Sequence, residues 1–362
     1  METETFDMCR RTFVIVHKTP SLCACVIFEM PYTKRMECMT KPFVQNDACA
    51  PKSISRMFRA LGTVNTIQAF NSACMEALER AEQRVLELDD RLSVFKPESE
   101  IARLNAQAGG KPVAVSEDTM TLLQTGIGYS RETGGAFSMT TRPLSMLWSL
   151  NASCGSVPDR TELERTLLLV NDEDLHLDPK RGTAVLARQD QAVDLGGIAK
   201  GYAADEVKRI LTEHGVTNAI INLGGTVFIL GDSRIVGVQH PDRCTGISMG
   251  RLELKNQAVV TSGDYERFFE VDGVRYHHIL DPNTGYPAKS GLRSVTVTGS
   301  CAMELDALST AIFVLGKKEG ARLAQEHGMG LLLVTDQLDV FCSDSLCGAF
   351  SLLTSSNKVV VG

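Results

Sequence analysis

From Phe58 onward the apolar and polar positions alternate in patterns that name their elements. Residues 63–70 alternate with a period of two and predict a strand. Residues 71–91 switch to helical spacing, with Cys74, Ala77, Leu78, Ala81, Val85 and Leu88 on one face. A short helix follows and ends near Asn105, and Ser116 can cap a helix that turns Met120, Leu123 and Ile127 inward. Residues 143–150 hold the single tryptophan, Trp148, and 151–180 read as loop plus a short helix. A strand-like run at 183–186 leads to the stretch Asp194-Leu195-Gly196-Gly197-Ile198-Ala199-Lys200-Gly201. A helix begins inside that stretch, with Ala199, Tyr202, Ala203, Val207, Ile210 and Leu211 on one face.

Further on, the buried run 219–223 stops at Gly224-Gly225, and 227–230 and 235–239 continue a sheet. Residues 258–261 run into a loop at Ser262-Gly263-Asp264-Tyr265. Residues 267–271 and 274–280 read as a hairpin joined at Asp272-Gly273. After a turn at 281–285 come a strand at 294–298, an apolar helix at 302–315 ended by Gly316, and a second helix at 319–327. Strands at 330–334 and 340–342 close the pattern. The order predicts an α+β fold with mixed or antiparallel sheets and packed helices; it lacks the regular alternation of a Rossmann fold.

Residues 1–56 break from this regularity. They hold Cys9, Cys23, Cys25, Cys38 and Cys49 without clear periodicity. The expectation is a poorly ordered or non-physiological extension over 1–56, with Met57 a sensible start, and one domain over 57–362. Arg10-Arg11 and Leu22-Cys23-Ala24-Cys25 faintly resemble export and lipidation signals, but His17, Lys18 and Pro20 cut the apolar run short. Composition changes the picture only by exclusion. A net charge of -7 argues against a nucleic-acid or membrane-surface binder, and no apolar run is long enough to span a bilayer. The eleven Cys and seven His show no zinc-type pairing, and free, buried thiols suit a reducing compartment, here read as cytoplasmic, with export or lipid anchoring as the alternative.

Three places carry candidate chemistry. A helix opened by Gly196-Gly197 presents unpaired backbone N–H groups that suit a diphosphate, with Lys200 as a nearby charge and Asp194 as an acceptor. The same residues also fit a tight strand-to-helix turn with an exposed lysine. Asp306 and Thr310 are four apart on an otherwise apolar helix, so both oxygens share a face. They suit a hard oxygen site for Mg²⁺ completed by carbonyls and phosphate oxygens, or else a solvated Asp–Thr pair. His278, beside Asp281-Pro282, is a general-base candidate or a structural histidine bonded to the turn; His277 points to the opposite face.

Five stretches together make the chain from about Leu61 to Val334 resemble the ApbE family of flavin transferases. They are Leu61-Gly62-Thr63; residues 92–105 with Pro97-Glu98-Ser99-Glu100; Gly135-Ala136-Phe137-Ser138 with Pro143-Leu144 and Trp148; residues 194–205; and residues 261–287 followed by 303–316. The resemblance implies an enzyme that binds FAD and Mg²⁺ and transfers FMN to a Thr or Ser hydroxyl of a target flavoprotein, with AMP leaving. Matched residue by residue, it implies Asp306 and Thr310 as side-chain ligands to Mg²⁺, completed by the Gly197 carbonyl. It implies Leu61, Phe95, Ala136, Phe137, Ser138, Asp194, Lys200, His278 and Ile279 as FAD-contacting positions. His278 is then the general base, with Asp306 acting through the metal.

The chain departs from the family pattern at four of these places. Leu61 stands for a usual Met, Phe95 for Tyr, Ser138 for Asp and Arg142 for Gly. Replacing a charged hydrogen bond at Ser138 could cost about 1–2 kcal/mol of FAD affinity. Arg142 either meets phosphate or lies on the surface. Competing readings are a Mg²⁺-dependent FAD pyrophosphatase giving FMN and AMP, and a non-catalytic flavin-binding protein. If the site is real, the 194–205 turn and the Asp306–Thr310 helix must touch.

Overall fold

The computed structural model describes residues 53–70, 75–353 and 359–361. Residues 1–52 of the expected 1–56 extension, the first residues of the predicted 71–91 helix with Cys74, and residues 354–358 and 362 lie outside the described residues.

Among the described residues the main sheet has nine strands, numbered β1–β9: Ser53–Ala60, Thr63–Phe70, Ala219–Leu223, Thr226–Leu230, Gln257–Gly263, Leu292–Gly299, Gly330–Thr335, Val340–Cys342 and Val359–Val361. They lie side by side in chain order, antiparallel throughout except for the parallel β8–β9 pair. Smaller sheets and helices are excursions from this meander. β1 pairs with β2 from Ser53↔Phe70 to Ala60↔Thr63, so the strand begins before the expected 56/57 boundary. The turn between them uses Leu61 and Gly62, both in the left-handed region at φ 53° and 70°. Gly tolerates that conformation freely; Leu61 is held there by an N–H that donates to Asp89 Oδ1 at 2.7 Å.

The helices are α1 (Met75–Leu92), α2 (Glu100–Ala106), α3 (Glu117–Glu132), α4 (Arg142–Ser153), α5 (Arg160–Leu167), α6 (Ala199–Glu213) and α7 (Ala302–Glu326). Helix α1 buries Ala77, Leu78, Ala81, Val85 and Leu88, the face its spacing predicted. Ser99 and Ser116 cap α2 and α3 by accepting from Ala102 N–H and Thr119 N–H. Helix α7 is broken at Gly316, where φ is 79°, so its two halves match the two helices read from the sequence. Helices α1, α6 and α7 share one core with the sheet. A separate core holds Met249, Leu252, Val259 and Leu332, where the strands Arg234–Gln239 and Ser248–Leu254 join the main sheet.

Two segments differ from the sequence reading. Ser262 and Gly263 belong to β5 because the ladder with β6 continues through Ser262↔Val295 and Gly263↔Ser294. The expected loop therefore starts at Asp264. The predicted hairpin forms, as Phe268–Val271 with Val274–His277, but its second strand stops at His277. Beyond it Leu280 keeps only an isolated bridge to Pro287.

One buried ionic network ties α1, α3 and α6 together. Asp118 accepts from both Nη atoms of Arg84, from Arg91 Nη1 at 2.6 Å and from the Tyr202 hydroxyl at 2.7 Å, while Arg84 Nε donates to Glu206 at 2.9 Å. Burial works to raise the Asp118 pKa, but the Arg84 and Tyr202 hydrogen bonds outweigh it and hold it below its ordinary value. A carboxylate with a depressed folded pKa stabilises the fold above its unfolded pKa, and that contribution is lost as pH falls through the folded value. Asp118→Ala leaves Arg84 partly uncompensated, and the expected loss is about 3–5 kcal/mol in urea unfolding at pH 7. The gap between the two proteins should narrow as the pH is lowered below about 4.

Candidate active site

The two segments that had to touch do so. Helix α6 crosses the first turns of α7 so closely that a Cβ on Gly201 would lie 2.2 Å from the Ala302 carbonyl oxygen. Only glycine fits there. The Gly201 N–H donates to Asp306 Oδ2 at 3.0 Å. That N–H belongs to the first turn of α6 and has no acceptor within the helix, so the carboxylate satisfies it. Asp306 is 4% exposed, and Lys200 Nζ lies 3.3 Å from its Oδ1 while donating to the Gly196 carbonyl at 2.6 Å. One turn on, Asp205 accepts from the N–H groups of Ala302 at 3.0 Å and Met303 at 2.9 Å, satisfying the start of α7. Burial raises the Asp205 pKa, against the pull of those two N–H groups.

Gly197 faces the same place. A Cβ there would meet the Phe137 ring at 3.3 Å and Thr310 Oγ1 at 3.9 Å. Ser262 at the end of β5 reaches Ser309 Oγ at 2.9 Å and Thr310 Oγ1 at 3.4 Å. Carboxylate, hydroxyl and glycine backbone thus converge from α6, α7 and β5. Among the described residues no group of three or more His, Cys, Asp or Glu side chains is arranged to hold a metal. A cation at this place would take one carboxylate, one hydroxyl and a carbonyl. That donor set fits Mg²⁺, which takes hard oxygen ligands and usually keeps several waters or phosphate oxygens. The buried Asp306 carboxylate already requires a positive partner, and Lys200 supplies it.

The other residues singled out from the sequence are linked to one another and to the glycine turn by the following contacts. Ala136 and Phe137 are buried, and Ser138 Oγ lies 3.1 Å from Thr140 Oγ1. Asp172 holds their turn by accepting from Met139 N–H and Thr140 N–H, both at 3.1 Å. Asp194 N–H donates to the Met139 carbonyl at 2.8 Å, and Asp194 Oδ1 accepts from Gly196 N–H at 2.8 Å. Arg142, which the sequence left between phosphate and surface, pairs with Asp194 Oδ2 at 3.5 Å and covers the Phe95 ring at 5.0 Å. Leu61 adjoins that region through Asp89, which also takes the Lys96 ammonium.

His278 follows the hairpin. Its Nδ1–H donates to the Arg267 carbonyl at 3.2 Å, which leaves Nε2 as the acceptor. Atoms packed around the ring, and then the Arg267 charge, push its pKa below the ordinary 6.5, and Lys200 is near enough to add to the effect. The ring still reaches solvent, which tempers the desolvation. Ile279 is buried, and its carbonyl accepts from Ala288 N–H at 2.9 Å. His277 donates Nε2–H to the Ala288 carbonyl at 3.1 Å and packs edge-on to Phe313, one turn beyond Thr310. Sequence reasoning gave no role to Asp205 or Asp172. Asp205 sits inside the quoted 194–205 stretch, but its partners lie nearly a hundred residues on; Asp172 is hidden in an acidic triplet.

A mixed sheet that carries a glycine turn, a lysine and a buried carboxylate at a helix–helix crossing defines a polar, anion-accepting site of the kind nucleotide-processing proteins build. The chain belongs to the ApbE family, whose profile matches residues 61–333. It is 38% identical over 287 residues to an FAD:protein FMN transferase of Klebsiella pneumoniae (strain 342), covering 79% of this chain and 90% of that protein. It is 34% identical over 299 residues to an FAD:protein FMN transferase of Treponema pallidum (strain Nichols), covering 76% and 82%. The crystal structure of the ApbE protein of Thermotoga maritima superposes with a TM-score of 0.76 at 33% identity, over 82% of this chain and 99% of that one. The flavin transferase ApbE of Vibrio cholerae gives 0.72 at 26% identity, over 83% and 100%.

Gly201→Ala tests the crossing. The added methyl has backbone on its far side and cannot be relieved by a rotamer change, so α6 and α7 must part. The expected loss is about 1–3 kcal/mol in thermal or urea unfolding. A variant as stable as the parent would contradict this packing.

Proposed function

We propose that this protein transfers FMN from FAD to a Thr or Ser hydroxyl of a target flavoprotein and releases AMP. The observation that carries the reading is the union of the Gly196–Gly201 turn with Asp306 and Thr310 into one site. The relatives named FAD:protein FMN transferase support the choice of substrate and reaction.

In this reading the Gly197 carbonyl, Asp306 and Thr310 would hold Mg²⁺, which would supply charge neutralisation at the diphosphate, while the chain's own residues orient the reacting groups. Lys200, which bridges Asp306 and the Gly196 carbonyl, would also be within reach of phosphate oxygens bound at the glycine turn. Leu61, Phe95, Ala136, Phe137, Ser138, Asp194 and Ile279 line the way taken by the rest of FAD. The acceptor hydroxyl attacks the FMN-side phosphorus, the P–O bond of the anhydride breaks, and AMP carries away the bridging oxygen. His278 Nε2 takes the hydroxyl proton. The lowered pKa keeps the ring neutral and able to accept a proton at physiological pH, at the cost of some basicity. We further propose that the protein acts in the cytoplasm and that its transferase domain, expected over 57–362, begins with β1 at Ser53. The described cysteines are all thiols, and no described helix is long and apolar enough to cross a membrane.

Co-expression with candidate target flavoproteins, followed by peptide mass spectrometry, tests the reaction. One FMN gained on a Thr or Ser peptide is the expected result. Free FMN and AMP beside an unmodified target would identify a pyrophosphatase instead, and FAD bound without any product a flavin carrier. Asp306→Ala is expected to remove Mg²⁺-dependent turnover, at least a hundredfold by the scale of lost charge stabilisation. Unchanged turnover would sink the metal assignment.

The pH dependence tests His278. With its pKa lowered, the acid limb of kcat/KM should fall below 6.5, and His278→Ala should abolish that limb along with most of the activity. An acid limb that persists in the variant would assign the proton to another group.

A further inference from the structure

Phe95 is an unusual residue to leave in solvent. It is 79% exposed, in the bend between α1 and α2, with its N–H donating to Ser93 Oγ at 3.1 Å. One side of its ring is covered by the Arg142 guanidinium, 5.0 Å from the ring centre. Arg142 itself is only 19% exposed along its side chain, and its Nη1 meets Asp194 Oδ2 at 3.5 Å. Asp194 spends its other oxygen on Gly196 N–H, at the turn that adjoins Asp306. A single guanidinium therefore ties an exposed aromatic ring to the glycine turn, although Phe95 and Asp194 are far apart in sequence.

We propose that Arg142 is a positioning residue that holds Phe95 as a stacking shelf for a planar ring of FAD, at a fixed distance from the diphosphate turn. This rests on the reading of the protein as an FAD-using transferase. A ring on the open side of Phe95 completes a stack of guanidinium, phenyl and heterocycle. The cation on the far side holds the phenyl in place through its ring face. Asp194 orients the guanidinium and balances its charge, so the shelf is set before the substrate arrives and less order is lost on binding. Because the same carboxylate fixes the Gly196 N–H, ring and diphosphate are gripped in one register. A ligand with a ring and a phosphate at the spacing found in FAD satisfies both grips.

Lysine at this position keeps the charge but loses the flat stacking surface and the fork that meets Asp194. Alanine loses all three. The test is flavin-fluorescence titration with FAD and FMN, and calorimetric titration with AMP and with inorganic pyrophosphate. The proteins are the full chain and its Arg142→Ala, Arg142→Lys, Phe95→Ala and doubly substituted variants. Arg142→Ala should weaken FAD binding about three- to tenfold, with Arg142→Lys in between. The loss should appear in KM for FAD, with kcat holding at saturating FAD. In the Phe95→Ala background, Arg142→Ala should add nothing, since the shelf it supports is gone. Pyrophosphate binding should not change. Weakened FMN with AMP unaffected puts the isoalloxazine on the shelf; the reverse puts the adenine there, and either supports the proposal. Additive losses, an equal loss for pyrophosphate, or FAD affinity indifferent to Arg142 would overturn it. An unaltered protein that bound no FAD would overturn the transferase reading as well, which separates the two failures.

Discussion

The structure turns on one buried carboxylate. Asp306 is removed from water near the start of an apolar helix, where an uncompensated charge would cost several kcal/mol. The compensation comes from another helix: the Gly201 N–H and the Lys200 ammonium, both from the first turn of α6. That requirement brings α6 onto α7 and explains why the crossing carries a glycine. Asp205 repeats the arrangement in reverse one turn later, a side chain of α6 satisfying the first N–H groups of α7. Two helices about a hundred residues apart are thus locked by reciprocal polar contacts, and the proposed reactive centre is the place where they lock.

The rest of the molecule presents that centre. The meandering sheet carries α6 and α7 on one side, and its excursions deliver the remaining parts to the crossing. The turn after α3 brings Phe137 against Gly197, held in place by Asp172. The hairpin brings His278, with His277 seated on Phe313 of α7. The aromatic packing of Trp148 with Phe269, Tyr276 and Tyr286 fixes that hairpin to α4, and the Trp148 N–H donates to the Gly285 carbonyl at 2.7 Å. Asp306 is buried, Gly197 and Thr310 are half-buried, and Phe95 and His278 stay open to solvent. That division suits chemistry in which a nucleotide is gripped at one end and a protein hydroxyl must reach it at the other.

Much of this was legible in the chain. The amphipathic face of α1, the strand at 63–70, the Asp272-Gly273 hairpin and the break at Gly316 all follow from local periodicity and turn chemistry, and all formed. The Gly-Gly-Lys turn and the Asp306–Thr310 pair were visible as chemistry, but their meeting was only a requirement until the fold supplied the distances. What escaped notice depends on partners far along the chain. Asp205 and Asp172 satisfy backbone N–H groups 97 and 33 residues away, and nothing in their own neighbourhood marks them for it. Ser262 opens a polar stretch after an apolar run and so reads as loop, yet pairing with β6 keeps it in the sheet and brings its hydroxyl within 3.4 Å of Thr310 Oγ1. Arg142 was ambiguous for the same reason, since Phe95 and Asp194 reach it only in the folded state.

The most direct measurement is anomalous diffraction from crystals grown with FAD and Mn²⁺ in place of Mg²⁺. The expected result is one strong peak within about 2–2.5 Å of the Asp306 carboxylate, the Thr310 hydroxyl and the Gly197 carbonyl, with diphosphate oxygens completing the shell. A Mn²⁺ peak elsewhere, or FAD bound away from the α6–α7 crossing, would contradict the assignment of this crossing as the reactive centre.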